Sequence, residues 1–282
     1  MENIRQALER ARGLNVEDPE LKDHSPSHPP RLPFAPNIGM EDRVGARIQE
    51  IALNDEYLES KRIIAHDDKD PRSKSFDMLR TQVLQSMDQK TWKILGITSP
   101  SPGCGKTVTA VNLAFSIARQ PERSVLLVDL DLQKPQVANC IGVNRGSGVV
   151  SVLEGRTSLS SAIVQARAGN HRITVLPAEK STSGSSALVT SRAMGTLLQE
   201  IKRDYRSRTV ILDLPPMLSS DDVIAILPQL DCMLLVAAIG KSTVSEIEEC
   251  NNHLQSAEVI RIILNKVPDW GAKYYYPGPQ SV

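Results

Sequence analysis

The spacing of hydrophobic and polar positions divides the chain into regions of different character. Over residues 2–14, Ile4, Ala7, Leu8 and Ala11 share one stripe at helical spacing among arginines and glutamates, which predicts a short amphipathic helix. A helix of this length is marginal alone, so it reads either as a frayed terminus or as a partner-docking helix on a tether. The tether follows at once. Pro26, Pro29, Pro30, Pro33 and Pro36 crowd residues 24–36, blocking helix and sheet hydrogen bonding and favouring extended polyproline conformations. Beyond a second charged stretch, from about Trp92, short β-branched runs alternate with longer helical segments, as in a parallel sheet wound with helices. Strands are expected at 93–98, 124–130, 173–176, 209–212, 233–238 and 259–264, several of them unbroken apolar runs suited to burial on both faces. Helices are expected at 106–120, 192–205 and 244–255. The fold class is therefore α/β, a doubly wound and mostly parallel sheet. The domain occupies 91–266, after an N-terminal helix and linker (1–45) and a helical lead-in (46–90), and before a tail (267–282) that should not fold.

Composition narrows the partners. The 33 lysines and arginines balance 33 aspartates and glutamates, leaving no net charge to hold a polyanion, so no nucleic-acid partner is expected. The longest apolar run, 232–239, is well short of the roughly 20 residues of a membrane-spanning helix, and the charged N-terminus has no signal-peptide core. A cytoplasmic protein is expected. Cys104, Cys140, Cys232 and Cys250 lie far apart with no C-x-x-C pair, which indicates neither a zinc site nor an iron–sulfur scaffold.

The chemistry is concentrated after the first strand, where S-P-S-P-G-C-G-K-T (residues 99–107) runs into a helix. Small residues let successive backbone N–H groups turn inward around phosphate oxygens, and the helix N-terminus adds the positive end of its dipole. Pro102, Gly103, Cys104, Gly105 and Val108 thus frame a nucleotide site; Lys106 supplies a charge to the β- and γ-phosphates, and the Thr107 hydroxyl binds magnesium. ATP with Mg²⁺ is the expected cofactor. The usual motif opens with glycine at the place of Pro100, whose φ is fixed near −65°, so the loop must begin along a different path. L-L-V-D-L-D-L-Q-K-P ends the second strand with Asp129 and Asp131, and V-I-L-D-L-P-P ends the fourth with Asp213. Ligands of an open parallel sheet bind at the carboxyl ends of its strands, so these carboxylates converge on the P-loop edge as catalytic or metal-binding groups. Taken singly, each is equally a helix cap or a solvated turn.

These three segments together resemble the Walker A, Walker A′ and Walker B motifs of bacterial tyrosine kinases, the capsular and exopolysaccharide autokinase family within the deviant-Walker P-loop superfamily. The resemblance covers roughly residues 74–276. Related partitioning ATPases carry an extra lysine at the position of Ser101, and its absence here favours the kinase branch. The resemblance implies that Lys106 and Thr107 hold phosphate and magnesium, with Asp129 and Asp213 as metal ligands. It implies that Asp129, Asp131 and Asp213 coordinate metal or activate a tyrosine hydroxyl, and that Asn265 contacts adenine. Read alone, Asn265 is a polar strand terminator. The family's tail is tyrosine-rich, and this chain ends K-Y-Y-Y-P-G-P-Q-S-V, which makes Tyr274, Tyr275 and Tyr276, three of five tyrosines, the implied phosphate acceptors. Family members also carry a ring-forming helix E-A-F-R-x-L-R-T-N. Here it reads K-S-F-D-M-L-R-T-Q, with Lys74 and Asp77 inverting two charges and Arg80 retained.

The leading expectation is an ATP-dependent protein-tyrosine autokinase serving polysaccharide export with a separate membrane co-polymerase, able to form homo-oligomers and recruited to the inner membrane face. The alternatives are a switch ATPase that loads a partner without protein phosphorylation, and a nucleotide-binding regulatory subunit with decayed activity.

Overall fold

The computed structural model describes residues 48–268, apart from 145, 180, 183, 205–207 and 256. The expected N-terminal helix, the proline-rich linker and Tyr274, Tyr275 and Tyr276 lie outside these. All described residues belong to one compact unit, Met40–Val282.

The elements run β1 (Gln49–Ala52), α1 (Asp55–Ser60), α2 (Lys74–Gln89), β2 (Ile94–Thr98), α3 (Lys106–Ala118), β3 (Ser124–Asp129), α4 (Val137–Ile141), α5 (Val149–Leu153) and α6 (Leu159–Ala162). They continue with β4 (Val164–Ala168), β5 (His171–Leu176), α7 (Ser185–Val189), α8 (Arg192–Asp204), β6 (Arg208–Asp213), α9 (Asp222–Ile226), β7 (Cys232–Ala238), α10 (Val244–His253) and β8 (Val259–Asn265). One sheet holds all eight strands in the order β1-β4-β5-β3-β6-β2-β7-β8. Every neighbouring pair is parallel except β4 with β5, so β1 and β4 run against the other six strands. All six strands expected from the sequence are present. Two were not foreseen: β1, and β4, which forms a hairpin with β5 across Gly169-Asn170.

Side-chain alternation sorts the apolar residues onto two covered faces. Ile94, Leu126, Val128, Leu212 and Leu235 face one core, roofed by α5, α6 and α8, while Leu95, Ile97, Val125, Leu127 and Leu234 face the other, roofed by α2, α3 and α4. β2 and β7 are buried along their whole length, which accounts for their unbroken apolar runs.

Two polar side chains lock the second roof. Asn112 of α3 is fully buried and accepts from Ile64 N (2.8 Å) and Ala65 N (2.9 Å), while its amide donates to Arg62 O (2.9 Å) and Val108 O (2.8 Å). Asp77 of α2 joins α3: its Oδ1 lies 3.0 Å from Arg80 Nη1 and 3.1 Å from Arg119 Nη1 and accepts from Ser116 Oγ at 2.7 Å. Arg80 also donates to Ser116 O at 3.0 Å. The inverted charge at Asp77 thus serves a contact within the chain, with partners on its own helix and on α3. Among the described residues no helix is long and apolar enough to cross a membrane.

Candidate nucleotide-binding and catalytic site

β2 delivers the chain to residues 99–105, and α3 carries it away. Gly103 (φ 79°) and Gly105 (φ 96°) adopt the left-handed backbone that L side chains resist, so the two glycines are required by the loop's curl. Pro100 stands where a flexible glycine usually begins this motif, and the path is fixed instead by the segment after β6. Met217 N donates to Ser99 O (2.8 Å), Leu218 N to Pro100 O (3.1 Å), and Ser99 Oγ to Ser101 O (2.9 Å). The far side of the loop is held from β8, where Asn265 Nδ2 donates to Cys104 O at 2.9 Å. A methyl group on Gly105 would collide with that nitrogen.

Beneath the loop, the acidic strand ends close on one ammonium. Lys106 Nζ lies 2.8 Å from Asp131 Oδ2 and 3.6 Å from Asp213 Oδ1, while Thr107 Oγ1 donates to Asp213 Oδ2 at 2.6 Å. Asp129 and Asp213 are directly opposed in the β3–β6 register, and both are fully buried. Burial pushes the Asp129 carboxyl up, and the neighbouring Asp213 charge pushes it further. Asp213 is raised by burial too, against the pull of Lys106 and Thr107. Burial tends to discharge Lys106, but Asp213 and Asp131 outweigh it and hold the ammonium charged.

Lys106, Thr107 and Asp131 line a cavity of about 390 Å³, together with Pro102, Gly103, Gly105 and Val108. Asp213 sits below it. Asp129 is turned into the protein, where its Oδ2 accepts from Val137 N at 3.0 Å. The remaining lining includes Gln133, Lys134, Gln136, Pro215, Ser219 and Ser220, none of which the sequence singled out as site residues. Lys134 and Pro215 had a signal available, as each lies within three residues of a motif carboxylate. Ser219 and Ser220 had none. A larger cleft of about 970 Å³, between Asn54, Tyr57 and Asn139, lies apart from this chemistry.

The residues fit a magnesium nucleotide. Asp213 Oδ1 is a buried oxygen without a hydrogen bond, 3.6 Å from Lys106 Nζ, and the Thr107 hydroxyl stands beside the same carboxylate. Mg²⁺ is held by one or two carboxylates, a hydroxyl and phosphate oxygens, and Asp213 with the Thr107 hydroxyl supplies the protein's share of such a set.

Comparison with known proteins agrees with this geometry. The AAA domain family matches residues 92–258. The tyrosine-protein kinase YwqD of Bacillus subtilis is 33% identical over 174 residues, 62% of this chain and 71% of the relative. EpsB of Ralstonia nicotianae is 28% identical over 228 residues, 78% of this chain, and this chain spans only 28% of EpsB's length. The kinase domain of Escherichia coli tyrosine kinase ETK superposes with a TM-score of 0.63 at 26% identity, covering 73% of this chain and 80% of that one. With its loop, strand-end carboxylates and sheet order all accounted for, the chain belongs to the AAA domain family and, within it, to the bacterial tyrosine-protein kinases.

Proposed function

We propose that the chain is an ATP-dependent protein-tyrosine autokinase whose acceptors are Tyr274, Tyr275 and Tyr276. The observation that carries this is the buried knot of Lys106, Asp131, Asp213 and Thr107 at the carboxyl edge of the sheet. Phosphoryl transfer is mainly positioning and charge stabilisation, and these groups supply both. Loop N–H groups and Lys106 hold the phosphates; Thr107 and Asp213 hold magnesium, with Asp129 behind them. Bound Mg²⁺ neutralises the β- and γ-phosphate charge. Asp131 lines the cavity and accepts the proton of the tyrosine hydroxyl at a carboxylate oxygen. Asn265 contacts adenine from the end of β8.

Tyr275 lies ten positions after Asn265, so the tail reaches at most about 33–36 Å from the end of β8, enough for transfer within a subunit or to a neighbour. The kinase works beside a membrane co-polymerase in a separate chain, serves capsule or exopolysaccharide export, and forms homo-oligomers at the inner membrane face. Each phosphotyrosine adds about −1.5 to −2 charges, so a modified tail repels others and leaves the acidic site.

Incubation with γ-labelled ATP and magnesium tests the reading. Label is expected on the three tail tyrosines, lost in Lys106→Met and in a triple Tyr→Phe variant that still binds ATP. Free phosphate without labelled protein, or label confined to Tyr57, Tyr205 or serine, would overturn it. Mixing Lys106→Met protein with an active tail-less form separates transfer within a subunit from transfer between subunits.

A further inference from the structure

The turn after β7 touches the phosphate loop at points that no motif explains. Lys241 N and Ser242 N both donate to Ala238 O, at 3.2 and 2.9 Å, closing a tight turn. Ser242 Oγ accepts from Ala238 N at 3.1 Å and meets Cys104 Sγ, inside the P-loop, at 3.4 Å. The turn is thereby docked on the loop, and Lys241 is laid across Gly103. A methyl group on that glycine would stand 2.8 Å from Lys241 Nζ, 3.4 Å from Cε and 3.9 Å from Cδ.

We propose that Lys241 is a polyphosphate-binding residue, whose ammonium closes the outer rim of the P-loop over the phosphate chain of a bound nucleoside triphosphate. The inference rests on the nucleotide-binding reading above. Among the described residues no carboxylate lies within ion-pair distance of Lys241 and no acceptor takes its ammonium protons, although the side chain is exposed and free to choose other directions. Lys106, by contrast, is buried and already held by two carboxylates. Asp131 and Asp213 already engage this buried cation, and Lys134 is the other lysine lining the cavity, so an anionic phosphate chain gains from a further ammonium at the rim. Residues 99–105 supply none, Ser101 being neutral. Gly103 places no side chain between the Lys241 ammonium and the loop backbone, and the docked turn fixes where the lysine stem begins. A lysine so placed acts as a point charge on phosphate.

Equilibrium binding of ATP·Mg²⁺ and of adenosine to the full chain tests this, using the unaltered protein, Lys241→Met and Lys241→Arg. Methionine keeps most of the apolar stem, so an unchanged thermal midpoint establishes that the fold is intact. Lys241→Met is expected to weaken ATP about tenfold, to leave adenosine unchanged and to flatten the salt dependence of ATP affinity, with Lys241→Arg within about threefold of the unaltered protein. An ATP affinity within about twofold in Lys241→Met, or equal weakening of ATP and adenosine, overturns the proposal. If the unaltered protein binds no ATP, the nucleotide reading fails and takes this one with it; if it binds ATP and only the Lys241 effect is missing, this inference alone falls.

Discussion

Asn112 shows how much one side chain carries when it replaces backbone partners. Three hydrogen bonds tie α3 to residues 62–65 and a fourth returns to Val108 O of the same helix, and truncation leaves the Ile64 and Ala65 N–H groups without acceptors. Asn112→Ala is expected to cost about 3 kcal/mol, seen as a fall of roughly 6–12 °C in the thermal midpoint. Glu179 works at the opposite face, where its carboxylate accepts from Gly148 N (2.8 Å), Val150 N (3.1 Å) and Ser151 N (2.8 Å) at the start of α5. Burial alone would raise its pKa, but hydrogen bonds from Ser151 and Gly148 outweigh that and hold it below the usual glutamate range. A depressed folded pKa contributes stability above the unfolded value near 4.3 and loses it as pH falls through the folded one. The difference in thermal midpoint between the unaltered protein and Glu179→Gln should therefore be full at neutral pH and vanish in acid; a pH-independent difference would refute the linkage. Neither residue was legible in the sequence, because each acts on backbone distant in the chain. Lys106, Thr107, Asp131 and Asp213 were legible because local spacing and strand ends fix where they go.

Among the elements, α2 and α3 are joined by charge as well as by apolar packing. Asp77 Oδ1 meets two arginines and a serine, with the Arg80 and Arg119 side chains only 16% and 14% exposed. Asp77→Ala leaves both guanidinium groups short of a partner and should cost about 1–3 kcal/mol by chemical denaturation. A cost near zero would mean that the contact is not maintained in solution. The sequence marks Asp77 only as an inverted charge in the ring-forming helix; its partners on α3 depend on how two helices cross, which no local pattern records. Strands told a similar story. β2, β3, β6 and β7 were plain from apolar runs, whereas β4, V-Q-A-R-A, alternates weakly and is half-buried, and β1 has four residues. The turn Gly169-Asn170 is the one local hairpin signal between β4 and β5. Helices α4 to α7 and α9, of four or five residues, are too short to show a period.

For the molecule as a whole, ligand and fold are linked through the same carboxyl edge. A nucleotide that binds only the folded chain stabilises it by about 2.7 kcal/mol at a hundredfold excess over Kd, so ATP·Mg²⁺ should raise the thermal midpoint by several degrees, and Lys106→Met should abolish most of that rise. An equal rise in both proteins would place the nucleotide elsewhere. The strand order bears equally on how the protein is made. β2, which leads into the phosphate loop, is synthesised second among the described strands yet pairs only with β6 and β7, Ile94 standing opposite Val210 and Leu95 opposite Cys232. At ~5–20 residues per second of translation, both edges of this wholly buried strand wait on the order of ten seconds for partners. During that interval the nascent chain exposes I-L-G-I-T to any passing strand, a window for misassembly that closes only once β6 and β7 have left the ribosome.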